Sequence, residues 1–566
     1  MFDRTGSEVS PRGEATVKFA RGLALSGALV AGLAPTLAAD DTKLVTTVDG
    51  TTTLTGYPSD LSADGRCVLF RSDSADFVPN DENDWFDLFV RDLETGAVER
   101  VNVADDGSED PGSGGVSPRG SISGDGRFVA FATRGELDPA DVGDLDVYLR
   151  DRAAGTTTLV SRAPARVGTK HDSSSPQVSR DGSWVVFVSS VSNLVDGDTN
   201  DAKDVFAWER ATGTITRVST DAAGNQFDVV SGGDVAISAD GTQVAFVIGR
   251  IPAAVEPGNV FIKDRVSGAL EEVDGDESGG SFASSAKSRG LSPDGRFVLF
   301  ETFDGLVASD LNGRLDGYVR DRTLATVECV TLGTGSRLLA ADQSPTGMSD
   351  DARRIAFMSD DDASGDDSNT TSDGFVFLRD SGVALRVTLG PQDQQSLSRS
   401  SIARLSADGR TALFWSDSSN VWPGKLDGFT DTFVRVLSDV PSAWNNYGDG
   451  LDGRFGTPSL TLDALPRRNT TIGLHIGNSS GLYSSGVLFL GFASASLPTS
   501  LGGTLLVAPA ATFPVPLSPW DNALVATVPS SGNLPGLHLY LQVLEVDPWA
   551  VKGVSFTAGL DLTIGD

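Results

Sequence analysis

The chain is short of the residues that do chemistry single-handed. Its 566 residues include two cysteines, three histidines and three methionines. Cys67 and Cys329 are expected on a second strand of one repeat and a fourth strand of another, too far apart to bridge. No disulfide framework is therefore expected, and both read as buried small hydrophobes rather than a redox or metal pair. Of His171, His475 and His538, only the first precedes residue 440, and the other two read as ordinary strand residues. His-Glu-x-x-His, P-loop and Rossmann glycine patterns are all missing. Positive charge is scarce as well: 44 Lys and Arg stand against 77 Asp and Glu, a net charge of −33, nearly all of it on residues 40–440. Such a field disfavours nucleic acids and anionic membranes as partners.

What is abundant is a repeat. Ser-x-Asp recurs with its Asp at 64, 125, 181, 240, 294, 351 and 408, at intervals of 61, 56, 59, 54, 57 and 57 residues. Gly follows in six copies, Ala352 being the exception, and Phe stands six positions after each Asp (Phe70, Phe131, Phe187, Phe246, Phe300, Phe357, Phe414). A period of this length means copies of one supersecondary unit that bury their faces only by stacking. Each copy reads as four strands. A short strand ends at the Ser-x-Asp turn, and an apolar strand such as 66–70 follows. A third strand such as 87–92 comes next, then a tight turn (Glu94-Thr95-Gly96) and a β-rich fourth strand at 98–103, 214–219 or 383–388. Seven such units predict a seven-bladed β-propeller. The seventh unit has no fourth strand, while residues 43–48 form an orphan strand ahead of the first. The N-terminal strand is therefore expected to close the last blade and remove a sheet edge.

The Ser-Ala-Asp-Gly-Arg steps at Asp64 and Asp408, Ser-Pro-Asp-Gly-Arg at Asp294, and the Arg-Asp-x-x-Thr-Gly run at 91–96 resemble the TolB-like β-propeller repeats over about residues 43–438. The resemblance implies a scaffold. TolB itself places an α/β domain before a six-bladed ring, so its translocation role does not carry over to this layout.

Four units insert Asp-x-Asn-x-x-x-Asp just before the third strand: Asp81, Asn83, Asp87; Asp198, Asn200, Asp204; Asp310, Asn312, Asp316; Asp367, Asn369, Asp373. Alternating carboxylate and amide oxygens on a tight loop match the hard-oxygen demand of calcium, although the Gly and distal Glu of an EF-hand are missing. The same residues also make local turns and cap strand entries. Both readings stand at this point. The long connections, second-to-third and fourth-to-first, lie on one face, where Trp85, Trp422 and His171 fall. Gly477-Asn478-Ser479-Ser480-Gly481 spells a nucleophile elbow, but loop residues follow where an elbow needs a helix.

Residues 1–39 read as a secretory signal peptide: Arg12, Lys18 and Arg21, an apolar run over 23–37, then Ala38-Ala39. No other stretch is apolar enough to span a bilayer. Residues 441–566 are poor in charge and alternate as at 537–543, which predicts a small β-sandwich. Its pieces at 447–448, 487–491, 503–507 and 560–565 are similar to C-terminal β-domains of secreted bacterial proteins, which implies a role in sorting, attachment or adhesion. The expectation is an exported, monomeric, non-enzymatic all-β protein that binds a protein or polysaccharide through its long-loop face, with calcium in the acidic loops. Two alternatives are a metal-dependent polysaccharide lyase or hydrolase working in the propeller funnel, and a TolB-like cell-envelope accessory protein.

Overall fold

The computed structural model describes Leu23–Ala24 and residues 42–565, apart from 51–52, 84, 111–119, 142–143, 165–171, 201, 228–234, 250–257, 276–285, 366, 368, 391–393, 424, 426–427, 438–442, 464–465, 467–470, 520–521 and 529–536. All but two residues of the stretch 1–39, expected to be a signal peptide, and His171, lie outside the described residues. The chain divides into two compact units, 39–439 and 440–566, the second grouped with residues 1–38. Among the described residues every regular element is a strand.

The first unit is a β-propeller of seven four-stranded antiparallel sheets. Blade one comprises Tyr57–Leu61, Cys67–Ser72, Asp87–Asp92 and Val98–Arg100, and blades two to six repeat that order up to Arg386. Blade seven takes Ser400–Leu405, Thr411–Ser416 and Asp431–Val436, and its fourth strand is Thr42–Leu44 from the N-terminal side. The innermost strands of neighbouring blades touch all the way round.

The repeated residues build this ring directly. In all seven turns the Ser hydroxyl donates to its Asp at 2.6–2.7 Å. The same carboxylate oxygen accepts the N–H two residues on at 2.9–3.0 Å. The Ser oxygen accepts the N–H five residues on at 2.8–3.0 Å. The motif is thus a turn clamp. The recurring Phe stacks on an aromatic ring of the third strand in six blades, with centroids 5.3–5.9 Å apart (Phe70 on Phe89, Phe131 on Tyr148). In blade four Phe246 opposes Phe261 in the ladder.

The fourth strands end sooner than the sequence predicts, at Arg100, Arg217 and Arg386 rather than 103, 219 and 388. Side chains take over the pairing there. Asn102, Ser161, Ser219, Thr331 and Thr388 each accept a third-strand N–H at 2.8–3.1 Å. In blade seven Thr46 does the same for Thr432 at 3.1 Å, so the N-terminal segment carries the signature of a native fourth strand.

The third-to-fourth turn needs a left-handed residue. Gly96, Gly155, Gly213, Gly268 and Gly382 sit there at positive φ, but blade five puts the exposed Ala325 there at φ 55°. An L-residue in that region costs about 1–2 kcal/mol, against a smaller entropic penalty for Gly. Ala325→Gly is expected to raise stability by about 0.5–1 kcal/mol, seen as a higher urea midpoint at unchanged slope.

The second unit has two main sheets over one core. Leu460, Ile472, Leu474 and Ile476 from one sheet pack with Leu488, Val515, Leu541, Val543 and Leu562 from the other. Leu23–Ala24 runs parallel to Asn522–Thr527 at the edge of the smaller sheet.

Candidate functional site

The first strand of each blade lines a central channel and ends at the Ser-x-Asp turn. Residues from all seven blades enclose a cavity of about 180 Å³ there. Around it the middle residue of the motif bonds from blade to blade. Asp350 N–H donates to Ala407 O (2.8 Å), Ala407 to Ala63 (2.8 Å), Ala63 to Gly124 (3.0 Å) and Gly124 to Arg180 (2.9 Å). A separate link joins Ala239 to Pro293 at 2.9 Å, and Pro293 has no N–H with which to extend it. The two ends of the long arc, Arg180 and Asp350, meet through a two-pronged ion pair, one contact being 2.8 Å. A second pair, Arg404 with Asp60 at 3.4 Å, also lies in the channel. Burial there pushes the Asp60 carboxyl up, against the pull of Arg404. Arg180 and Arg404 are therefore both committed to aspartates.

The opposite face carries the acidic loops. The structure gathers the predicted residues into four clusters, and in each the last Asp opens the third strand. A side chain from beyond the fourth strand holds that Asp: Asn102 on Asp87 (2.5 Å), Ser219 on Asp204 (2.5 Å), Thr331 on Asp316 (3.3 Å) and Thr388 on Asp373 (2.7 Å). The Asn bridges loops, donating to Asp110 O (3.1 Å) from Asn83, Phe227 O (2.6 Å) from Asn200, Leu339 O (3.2 Å) from Asn312 and Ser396 O (2.8 Å) from Asn369.

What differs between the clusters is the cation. In blade one the buried Arg100 lies 3.2 Å from Asp81, 3.0 Å from Asp87 and 2.8 Å from Glu109. In blade three Arg217 faces Asp198 and Asp204 (3.5 and 3.7 Å), and in blade six Arg386 faces Asp367 and Asp373 (3.9 and 3.8 Å). Each arginine ends its fourth strand opposite a Phe (Phe89, Phe206, Phe375). Blade five places Cys329 and Tyr318 at those two positions, and the Tyr318 hydroxyl donates to Asp310. Among the described residues neither Asp310 nor Asp316 makes an ion pair. Burial, with the Asp310 charge beside it, pushes Asp316 up to about 6. The sequence holds this distinction in a spacing that motif reading passed over: Arg stands thirteen residues after the last Asp in three blades, and Cys in the fourth.

Blade two resembles blade five, with Leu159 opposite Tyr148 and the Tyr148 hydroxyl on Asp141. Asp146 accepts from Ser161 at 2.5 Å, and burial plus the charges of Asp141 and Asp144 push it up to about 7. Its folded value exceeds the unfolded one near 3.9, so its stabilising share is complete below about pH 4 and is lost as pH rises through about 7. Asp146→Asn is expected to gain about 2 kcal/mol at pH 8 and much less at pH 5, flattening the pH dependence of the urea midpoint.

On the same face, near the end of blade one's second strand, Arg71 packs on two rings that also touch each other edge to face, with centroids 5.9 Å apart. Its guanidinium carbon is 4.9 Å from the centroids of both Tyr57 and Phe86. Among the described residues it makes no ion pair, and burial pulls its pKa down. Trp85, next to Phe86 in the chain, is 48% exposed. Equivalent positions in the other blades hold Ala132, Val188, Val247, Glu301, Met358 and Trp415, so no structural demand shared by the blades explains an arginine there. Trp422, by contrast, packs on Phe433 at 6.4 Å. Ser479 is buried, with its hydroxyl 2.7 Å from Glu545, while His475 and His538 contact Asp463 (3.7 Å) and Asp561 (3.0 Å). Cys67 and Cys329 are free and buried. Among the described residues no helix is long and apolar enough to cross a membrane.

No family model and no curated protein matches the chain. Among solved structures it is similar to a putative TolB from Agrobacterium tumefaciens (18% identity, 49% of this chain and 81% of that one, TM-score 0.31). It is also similar to TolB from Acinetobacter baumannii (16% identity, 67% and 81%, TM-score 0.32). A third likeness is to the β-propeller domain of the Trilobed protease from Pyrococcus furiosus (11% identity, 69% and 97%, TM-score 0.39). At such scores nothing about activity passes from these proteins to this chain.

Proposed function

We propose that this is an exported, non-enzymatic binding protein whose propeller engages a protein or polysaccharide through its long-loop face, with blade one as the anchor. The observation that supports this is Arg71, packed on the touching rings of Tyr57 and Phe86 with no ion pair among the described residues. The only carboxylate acting on it is the more distant charge of Asp73, and the half-exposed Trp85 is next to Phe86 in the chain. A partly desolvated guanidinium on a pair of rings, with an exposed Trp on the same loop, has the make-up of an interface hot spot. The committed arginines of the channel favour a rigid scaffold over a reactive funnel.

Calcium belongs to this proposal at blade five, where Asp310, Asn312 and Asp316 offer hard oxygens with no guanidinium among them. In blades one, three and six an arginine already supplies the positive charge. The test has two parts. Calorimetric titration of the metal-stripped protein should find one calcium site, lost in Asp316→Asn; four equal sites, or none, would refute the assignment. Panels of polysaccharides and envelope proteins should then bind the parent protein, and Arg71→Met with Trp85→Ala should weaken binding about tenfold or more. Polysaccharide chain cleavage in the presence of calcium would instead make the protein an enzyme.

A further inference from the structure

The C-terminal unit holds another arginine packed on two rings, and here the arginine and both rings are exposed. The Arg454 guanidinium carbon lies 4.9 Å from the Phe455 centroid and 5.3 Å from that of Trp549. Phe455 is 70% exposed and Trp549 65%, so this is a surface row of planar groups rather than a core contact. Among the described residues Arg454 makes no ion pair, in a chain with far more acidic than basic residues.

The row rests on a rigid, fully buried base. Asp547 and Glu545 are both 0% exposed. One oxygen of Asp547 accepts the main-chain N–H of Arg454 (2.6 Å) and the other that of Trp549 (3.0 Å), so a single carboxylate fixes the spacing of arginine and tryptophan. Phe455 N–H donates to Ser479 O at 3.0 Å, and Ser479 is tied to Glu545 through its own N–H (2.8 Å) and hydroxyl (2.7 Å). Gly481 leaves room for the phenyl ring: a Cβ there would stand 2.6 Å from it. Burying two carboxylates is costly unless they are well bonded, and these are used to pin three surface loops together.

We infer that Arg454, Phe455 and Trp549 form a binding site for a carboxylate-bearing polysaccharide, a polyuronate, separate from the propeller face. A guanidinium carbon packed over two rings and without an ion pair among the described residues leaves its N–H fork for bidentate pairing with a carboxylate. The exposed rings offer flat apolar surface to the C–H faces of sugar rings on either side of that carboxylate. A protein partner fits less well, because the cation interrupts the apolar surface and leaves no continuous patch of the size that stable interfaces need.

The test uses the full chain and polygalacturonate oligomers, with a neutral glucan of equal length and polyglutamate as comparators. Polygalacturonate should bind, the neutral glucan should not, and polyglutamate should bind far more weakly. Arg454→Met should cut affinity about tenfold or more, and Arg454→Lys, which keeps the charge but loses the fork, should fall between. Both variants should melt at the parent temperature, since the side chain supports no fold contact beyond the two rings. Arg353→Met, which removes an exposed propeller arginine that belongs to neither proposed site, should leave this binding unchanged and so rule out a mere effect of surface charge. No polygalacturonate binding, equal binding of the glucan or polyglutamate, or affinity untouched by Arg454→Met would overturn the inference.

Discussion

Val45→Asp is expected to open the propeller, lowering stability by about 4 kcal/mol or more. Val45 is fully buried and packs with Val68, Phe70 and Phe89 of the first blade and with Leu413 and Val434 of the last. Its N–H donates to Thr432 O at 2.8 Å. A carboxylate there would sit among apolar side chains, and the segment that would carry it out of the seam is the closing strand itself. Once that strand leaves, Asp431–Val436 becomes an open edge, ready to pair with another copy. Urea unfolding followed by tryptophan fluorescence, together with aggregation on native gels, reads both consequences. Val45→Ala, which removes volume without adding charge, should cost about 2–3 kcal/mol and leave the protein monodisperse. If Val45→Asp were as stable as Val45→Ala, the seam would not depend on this strand.

The other large effect is expected at Arg100. Arg100→Met keeps most of the apolar stem but leaves Asp81, Asp87 and Glu109 facing one another without a cation, at a cost of about 3–5 kcal/mol. The cost should depend on pH with a definite sign. Burial and the Asp87 charge already push Asp81 up to about 6, opposed by Arg100. Removing Arg100 raises that value further, so stability falls more steeply as pH rises through 6, and the variant should approach the parent near pH 5. Oxygens of the three carboxylates lie within 4.8 Å of one another, so millimolar calcium should recover part of the loss at pH 8 in the variant while doing nothing for this cluster in the parent. A pH-independent loss would mean that Arg100 acts through packing alone.

Much of the propeller is legible in the sequence because its determinants are local. Ser62, Asp64 and Gly65 specify a turn within four residues, and Phe70 follows at a fixed distance on a strand with few alternative registers. The missing fourth strand of the last unit and the surplus strand at 43–48 are a mismatch visible by counting. The ends of the fourth strands are less legible, because Asn102 or Thr388 replaces main-chain pairing with a side-chain bond that no propensity anticipates. The acidic loops are legible only in part, for a related reason. Asp81, Asn83 and Asp87 are contiguous and look like a ligand set, while Arg100 comes from another strand and meets them only across the ladder. Arg71 and Arg454 were invisible for the same cause: Tyr57, Phe86 and Trp549 become neighbours only in three dimensions. Sequence pattern reports what a segment does to itself, and both candidate sites arise where segments converge.

The arc from Asp350 to Arg180 bears on how such a chain can evolve. Tandem duplication is the obvious way for a repeat array to grow, yet an eighth copy inserted between blades three and six would widen the circle and pull those two side chains out of reach of each other. A copy lost from the same sector would drive them past each other. Two residues that merely face one another across a hole thereby act as a gauge of circumference, tolerating drift in sequence within each copy while penalising any change in how many copies there are.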